Sequence, residues 1–144
     1  MLWVHWIADD VAIAQGQEHK SLGLFDGAPE KLHALIGYGQ GGDPKTGEIQ
    51  SRYSARTETV ETFRDELCAA GLTTILTHPA GSNYRGRDAK RLNQWFSQQG
   101  YGFDRVESMH LDIREKGFRD TEANAVKTAN IIATALAILT ERKL

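Results

Sequence analysis

Two short stretches in the last third of the chain carry residue types that can bind a metal and move a proton. In the first, "FDRVESMHLD" (residues 103–112), His110 follows a strand-like run. In the second, "GFRDTE" (residues 117–122), Glu122 stands at the start of a helical pattern. Zinc in hydrolytic sites usually takes three His, Asp or Glu ligands and keeps one position for water, and a nearby carboxylate carries the proton. If His110 and Glu122 lie close together in the fold, they could therefore hold a metal and move a proton.

Helical and strand-like patterns alternate through the second half of the chain. In order, they are a helix over 57–70, a strand over 72–78, a helix over 88–99, a strand over 104–110 and a helix over 121–142. This alternation predicts an α/β domain, a layered sandwich with a mostly parallel sheet and helices on both faces. Functional residues in such sheets gather at the carboxyl ends of the strands. We expect His110 and Glu122 to meet there.

The first third of the chain predicts less regular structure. "LWVHWIA" indicates a strand over 2–8, and "VAIA" at 11–14 a second short strand or its continuation. Glycine and proline interrupt residues 15–53, which predicts loops around at most one short helix at 29–36. The C-terminal helix is expected to bury one apolar stripe, made of Val126, Ala129, Ala133 and Leu136.

The composition is that of one ordinary globular domain, residues 1–144. Apolar residues make up 40% of the chain, charged residues 25%, and the net charge is -2, which argues against nucleic acid as a partner. A single cysteine, Cys68, excludes an internal disulfide framework. The patterns predict neither a membrane span, which needs about 20 apolar residues, nor a classical signal peptide.

Three glycines in "IGYGQGG" have the G-x-G-x-x-G spacing of nucleotide-binding loops. They are Gly37, Gly39 and Gly42. The motif requires a helix to begin directly after it, but "DPKTG" follows, with Pro44. A tight turn is therefore the favoured interpretation, and nucleotide binding the weaker alternative.

Three further residues are candidate metal ligands. His19 lies in a glycine-bounded segment, and Glu30 follows eleven positions later, which makes this the most ligand-like pair of the remainder. Glu58 competes with Glu30 for the same role. For Glu58, as for Glu122, a position in the first turn of a helix has a second explanation, because a carboxylate there stabilises the helix dipole.

Basic residues cluster after the predicted strand 72–78. The cluster consists of Arg85, Arg87, Lys90 and Arg91. Such a group can bind a small anionic ligand, and Arg87 is our candidate substrate-binding residue. A solvated helix face explains the same charges equally well.

The motifs in this order resemble the zinc-dependent N-acetylmuramoyl-L-alanine amidases of the amidase-3 type. Their pattern is a strand into a Gly-His-Gly loop, a glutamate, a strand ending in "S-x-H-x-N" and a late "T-E". Ser108, His110 and Asp112 match the third motif with Asp in place of Asn, and Thr121 with Glu122 matches the last. The resemblance covers about two thirds of the chain. It implies that His110 is a zinc ligand and Glu122 the catalytic residue.

The family's first histidine has no direct counterpart. In one placement Gln17 occupies its position, and His19 with Glu30 completes the ligand set around His110. In the other placement Gln40 occupies it, and Glu58 is the glutamate. The sequence leaves both placements open.

Two functions follow as hypotheses. The resemblance implies a peptidoglycan amidase-like zinc hydrolase that acts on a cell-wall peptide or glycopeptide. Such a protein would be made in the cytoplasm and released to reach the wall. The alternative is a metal-free α/β binding or regulatory module for a small anionic ligand.

Overall fold

The computed structural model describes residues 1–38, 54–77 and 107–143. The predicted helix over 88–99 lies outside these ranges. The described elements follow one another as β1 (Leu2–Ile7), α1 (Asp9–Ser21), a 3₁₀ turn (Pro29–Lys31), β2 (Ala34–Gly37), α2 (Thr57–Ala69), β3 (Thr74–Leu76), β4 (Met109–Arg114) and α3 (Glu122–Lys143). The predicted strands over 2–8 and 72–78 and the helices over 57–70 and 121–142 are confirmed.

The four described strands form one mixed sheet in the order β1-β4-β2-β3. β1 pairs with β4 in parallel, as β2 does with β3, but β2 and β4 are antiparallel. The fold is α/β with helices on both faces, whereas the prediction of a mostly parallel sheet is wrong. Hydrophobic periodicity identifies strands without stating which strands become neighbours, and here β4 lies between β1 and β2.

The antiparallel pairing gives the sheet two unlike edges. We call one the His110 edge, formed by residues 37–38, 54–58 and 107–110, where β2 ends and β4 begins. We call the other the Arg114 edge, formed by residues 7–9, 29–34 and 114–117, where β1 and β4 end and β2 begins. The carboxyl ends of the strands are thus divided between two edges.

β4 occupies Met109–Arg114, so the prediction that this strand ends at His110 is wrong, while residues 104–106 of the predicted strand lie outside the described ranges. Apolar and polar residues alternate strictly along "MHLDIR". Met109, Leu111 and Ile113 belong to the larger core, on the face of the sheet covered by α2 and α3. Since side chains alternate along a strand, His110, Asp112 and Arg114 point to the opposite face.

α1 replaces the strand predicted at 11–14 and part of the loop predicted for 15–53. Its buried residues are Ala12, Gln15, Gly16 and His19, which follow helical spacing. Because these buried residues are small or polar, the spacing of hydrophobic residues does not predict this helix. Asp9 and Asp10 in the first turn stabilise the helix dipole. The helix predicted at 29–36 is instead a 3₁₀ turn followed by β2.

α1 and the 3₁₀ turn form the layer on the second face of the sheet, and they pack closely against each other. A side-chain carbon at Gly16 would lie 2.7 Å from the carbonyl oxygen of Pro29, so only glycine fits. The same layer holds the smaller core beneath it, made of Ile7, Ala12, Leu32, Leu35 and Ile75.

α2 and α3 pack together on the other face of the sheet. The sequence predicted correctly that α2 buries Val60, Phe63 and Leu67 and stops at Gly71, whose φ of 95° suits glycine. The stripe predicted for α3 is largely wrong, because Val126 is 54% exposed and Ala129 and Ala133 are exposed as well. Over the part of α3 whose burial is described, residues 122–141, the buried residues are Thr128, Ala135 and Leu139.

α3 has the length and composition of a membrane-crossing helix. Within the described ranges it is the one helix that passes this test, over Glu122–Glu141, and 17% of its most apolar window is buried in the fold. Core helices pass the same test, and α3 contributes Ala135 and Leu139 to the larger core. The expectation that the chain has no membrane span stays a prediction.

His33 links β2 to the neighbouring strand, and its environment predicts a pH-dependent stability. Its Nδ1 accepts a hydrogen bond of 2.9 Å from the backbone N–H of Thr73. Burial first, and then the charge of Arg114, lower the pKa of His33 from its ordinary value of 6.5. The unfolded chain therefore binds this proton more tightly than the folded protein does. We expect stability to fall as the pH drops below 6.5 towards the lowered pKa.

Denaturant unfolding between pH 8 and pH 5 measures this effect. His33→Asn is the matched variant, since the amide oxygen can accept the same hydrogen bond but does not titrate. The difference in unfolding free energy between wild type and variant should shrink towards acidic pH. A difference that stays constant over that range would contradict the assignment.

Candidate functional site

His110 is the second residue of β4 and lies in the most constrained position of the His110 edge. It is 7% exposed and pairs directly with Gly37 of β2. A side-chain carbon at Gly37 would lie 2.0 Å from Cε1 and 2.4 Å from Nε2 of the His110 ring. The first glycine of "IGYGQGG" therefore makes room for an imidazole, which is a common reason for glycine within a strand.

Asp112 is buried beside His110 on the same face of β4. It is 0% exposed, and its Oδ2 lies 3.5 Å from Nε2 of His110. Neither carboxylate oxygen accepts a hydrogen bond in the part of the chain that the structure describes. An unsatisfied buried carboxylate is costly, so Asp112 is a candidate functional residue beside His110. Sequence reasoning noted Asp112 as a substitute for Asn but did not predict its burial, which the flanking Leu111 and Ile113 could have indicated.

The start of α2 is tied to the residues that precede β4. The single hydroxyl proton of Ser54 is shared between two carbonyl oxygens, that of Ser108 at 2.6 Å and that of Tyr38 at 2.9 Å from Oγ. The carboxylate of Glu107 accepts hydrogen bonds from the Arg56 N–H at 3.0 Å and the Thr59 hydroxyl at 2.8 Å. The Glu107 carboxylate thus gives a hydrogen-bond partner to a backbone N–H that has none within the helix. Together these contacts hold the start of α2 at the His110 edge.

Glu58 lies in the first turn of α2 and is exposed. Because α2 starts at the His110 edge, Glu58 and His110 share that edge. They approach it from different layers, since α2 covers one face of the sheet and His110 points to the other. Glu58 therefore shares an edge of the sheet with His110 but not a face, and the choice between the two placements stays open.

His19 and Glu30 belong to elements that pack together but lie away from His110. Nδ1 of His19 donates a 2.8 Å hydrogen bond to the carbonyl of Gln15, and its Nε2 is buried without a hydrogen-bond partner among the described residues. Glu30 is exposed on the 3₁₀ turn, and its carbonyl accepts a hydrogen bond from Arg114. Four residues of β4, about 13 Å, separate Arg114 from His110. The structure does not bring this pair to His110.

Arg114 organises the opposite edge through its charge. Its guanidinium donates to the carboxylate of Asp9, and this hydrogen bond lowers the pKa of Asp9. The contact joins the start of α1 to the end of β4. Arg114 therefore has a structural partner on α1 as well as on the 3₁₀ turn.

Glu122 is exposed at the start of α3 and lies far from His110. The Thr121 hydroxyl accepts a 3.1 Å hydrogen bond from the Asn124 N–H and so caps the helix. Leu139, seventeen residues later, lines a small cavity with Met1 and Met109 at the His110 edge. At 1.5 Å per residue, Glu122 is about 25 Å along α3 from that level. The predicted meeting of His110 and Glu122 at one edge does not occur.

Glu122 lines a wide groove between α2 and α3 and not the His110 edge. Its volume is about 1130 Å³, and Glu66 of α2 lines it together with Glu122. Most of the other lining residues are small or apolar, among them Ala69, Ala70, Ala123 and Val126. Glu122 thus faces a groove on the helical layer of the fold.

The remaining predicted site residue, Arg87, lies outside the described residues, as do Arg85, Lys90, Arg91 and Gln40. Across residues 1–38, 54–77 and 107–143, no three His, Cys, Asp or Glu side chains are close enough together to hold a metal ion. No protein-family model matches the chain, and it has no significant similarity to a curated protein or a solved structure.

Chemically, the His110 edge offers an imidazole backed by a buried carboxylate. Metal-binding histidines commonly direct their second ring nitrogen to a carboxylate, and general-base histidines use the same arrangement. The arrangement therefore suits either a metal ligand or a proton acceptor. Among the described residues, it is the one place where a predicted site residue has a buried ionisable partner.

Proposed function

We propose that the protein is a zinc-dependent amide hydrolase similar to the amidase-3 type N-acetylmuramoyl-L-alanine amidases, with its site at the His110 edge. Its substrate would be the amide bond between the lactyl group of N-acetylmuramic acid and L-alanine. The observation that carries the proposal is the buried pair of His110 and Asp112. This pair preserves the central histidine of the resemblance and gives it the carboxylate that zinc-bound histidines have.

Three features of the fold support a site at the His110 edge. β2 ends there at Gly37 and leads into the rest of the "GYGQGG" segment, which corresponds to the family's Gly-His-Gly loop. α2 begins there and brings Glu58. β4 begins there and brings His110. Gly37, Glu58 and His110 thus lie at the same edge of the sheet, as a shared site requires.

Each residue has a role that follows from its position. His110 would hold the zinc ion, and Asp112 would hold the imidazole in place from behind. Glu58, exposed at the same edge, would supply a carboxylate ligand. Zinc held by these residues would supply a bound water with a lowered pKa and Lewis-acid chemistry at the amide. Because Glu122 lies at the far end of α3, we expect proton transfer to depend on residues of the His110 edge.

Zinc content and hydrolysis of a muramoyl-L-alanine peptide test this proposal together. The purified wild-type chain should contain near-stoichiometric zinc and release the peptide. Loss of the imidazole in His110→Ala should remove the metal and lower hydrolysis by at least about 100-fold. Metal analysis and product release by chromatography measure the two effects on the same samples.

Glu58→Gln and Glu122→Gln are a matched pair, because both residues stand in the first turn of a helix and both changes remove the same dipole interaction. We expect Glu58→Gln to lower zinc affinity and hydrolysis by about 10- to 100-fold. Glu122→Gln should stay close to wild type. If Glu122→Gln lowers hydrolysis and Glu58→Gln does not, the catalytic role belongs to Glu122. If the wild-type protein contains no zinc and does not hydrolyse the peptide, the alternative function, a metal-free module that binds a small anionic ligand, is favoured.

A further inference from the structure

The fold leaves most of the apolar surface of α3 uncovered. Only 17% of its most apolar window is buried, and Val126 is 54% exposed. From Thr128 to Thr140 the helix carries no charged residue, over a length of about 20 Å. The exposed positions of this stretch are Ala129, Asn130, Ala133, Thr134, Ala137 and Thr140. A helix face directed to water normally carries charged residues, so this face has the character of a contact surface.

The groove between α2 and α3 continues this surface. Its volume is about 1130 Å³, and its lining includes Val126, Asn130 and Thr134 of α3 together with Ala69 and Ala70 of α2. Because a helix with its side chains is about 10 to 12 Å wide, a groove of this volume has room for about two turns of another helix. The groove and the uncharged face can therefore contact the same partner helix.

The charges that flank the uncharged stretch have opposite signs and are equally far from Thr134. Lys127 stands seven residues before Thr134 and Glu141 seven residues after it, and both are exposed. Seven residues are close to two helical turns, so these three residues lie on the same side of α3. If two copies of α3 pair in antiparallel orientation about Thr134, Lys127 of each copy lies opposite Glu141 of the other. A contact between two identical surfaces requires such self-complementary charges.

We propose that the exposed face of α3 and the adjoining groove bind the same surface of a second copy of this chain. The two α3 helices run antiparallel about a two-fold axis at Thr134. The groove extends along α3 from Glu122 to Ala135, so it receives the half of the other copy's α3 that follows Thr134. Small side chains such as Ala137 allow the two helix axes to approach closely. This inference is independent of the zinc chemistry proposed above.

Sedimentation velocity of the full-length chain over a range of concentrations measures the dimer. Lys127→Glu and Glu141→Lys should each raise the dimer dissociation constant by about 10-fold or more, because each change opposes like charges at two symmetric contacts. The double variant Lys127→Glu/Glu141→Lys restores opposite charges and should return close to the wild-type constant. Glu61→Lys is the matched control, since Glu61 is exposed on α2 outside the groove and should leave the constant unchanged.

Thr134→Glu tests the position of the axis. It sets two carboxylates against each other at the centre of the contact, so we expect a monomer with the circular dichroism of the wild type, because Thr134 is exposed. A dimer that persists in Thr134→Glu, or a double variant no tighter than the two single variants, would contradict this arrangement. A wild type that stays monomeric at every concentration would overturn the proposal. Binding of a monomeric chain to neutral lipid vesicles would overturn it too, since the same face would then contact a membrane.

Discussion

Gly37→Ala should destabilise the protein by about 3 kcal/mol, the upper end of the usual cost of overpacking. The new methyl carbon would lie 2.0 Å from Cε1 of His110, well inside van der Waals contact. Neither partner can move easily, because Gly37 is hydrogen-bonded within the sheet and His110 is buried between strands. Denaturant unfolding monitored by circular dichroism measures the loss.

The double variant Gly37→Ala/His110→Ala identifies the cause. Removing the ring also removes the clash, so the double variant should be more stable than the sum of the two single changes predicts. The coupling energy between positions 37 and 110 should be large and favourable. If the two effects simply add, the cost of Gly37→Ala arises elsewhere and the close packing of ring on backbone is not its source.

Asp112→Asn should raise the stability of the metal-free protein by about 1 to 3 kcal/mol, because a neutral amide costs less to bury than a carboxylate without a hydrogen-bond donor. The carboxylate is fully buried, and neither of its oxygens accepts a hydrogen bond within the described ranges. Asn keeps the shape and removes the charge. Thermal unfolding should show a midpoint several degrees higher.

The same substitution at Asp9 is the matched control. The Asp9 carboxylate is paired with Arg114, so Asp9→Asn removes a favourable contact and should not stabilise. A loss of stability in Asp112→Asn would mean that the carboxylate is satisfied in the native protein. A gain of stability together with weaker zinc binding would show that the buried charge is retained for function, a known trade-off in active sites.

The helices and strands were predictable from sequence where apolar residues recur at regular spacing. α2 shows this most clearly, since Val60, Phe63 and Leu67 mark its buried face and Gly71 its end. α1 was missed because its buried face consists of small and polar residues, such as Gln15 and Gly16. A helix of this kind is stabilised by packing against its neighbours, which a hydrophobic pattern does not record.

The candidate site was predictable only in part. The sequence indicated His110, but not that β4 begins there or that β2 runs against it. That pairing places Gly37 and the start of α2 beside His110, and it sends Glu122 to the other end of the fold. Sheet order depends on long-range contacts, so local periodicity could not distinguish a shared site from two separate ends.

The pairing of β1 with β4 also has a consequence for how the chain folds. Leu2 pairs with Met109, so the two strands that form this side of the sheet are 107 residues apart along the chain. Closing so long a loop costs conformational entropy before the contact returns any energy, and such contacts slow folding. During synthesis, β1 cannot pair with β4 until more than 100 further residues have been made. The N-terminal strand should accordingly be among the last segments to gain protection from hydrogen exchange during refolding.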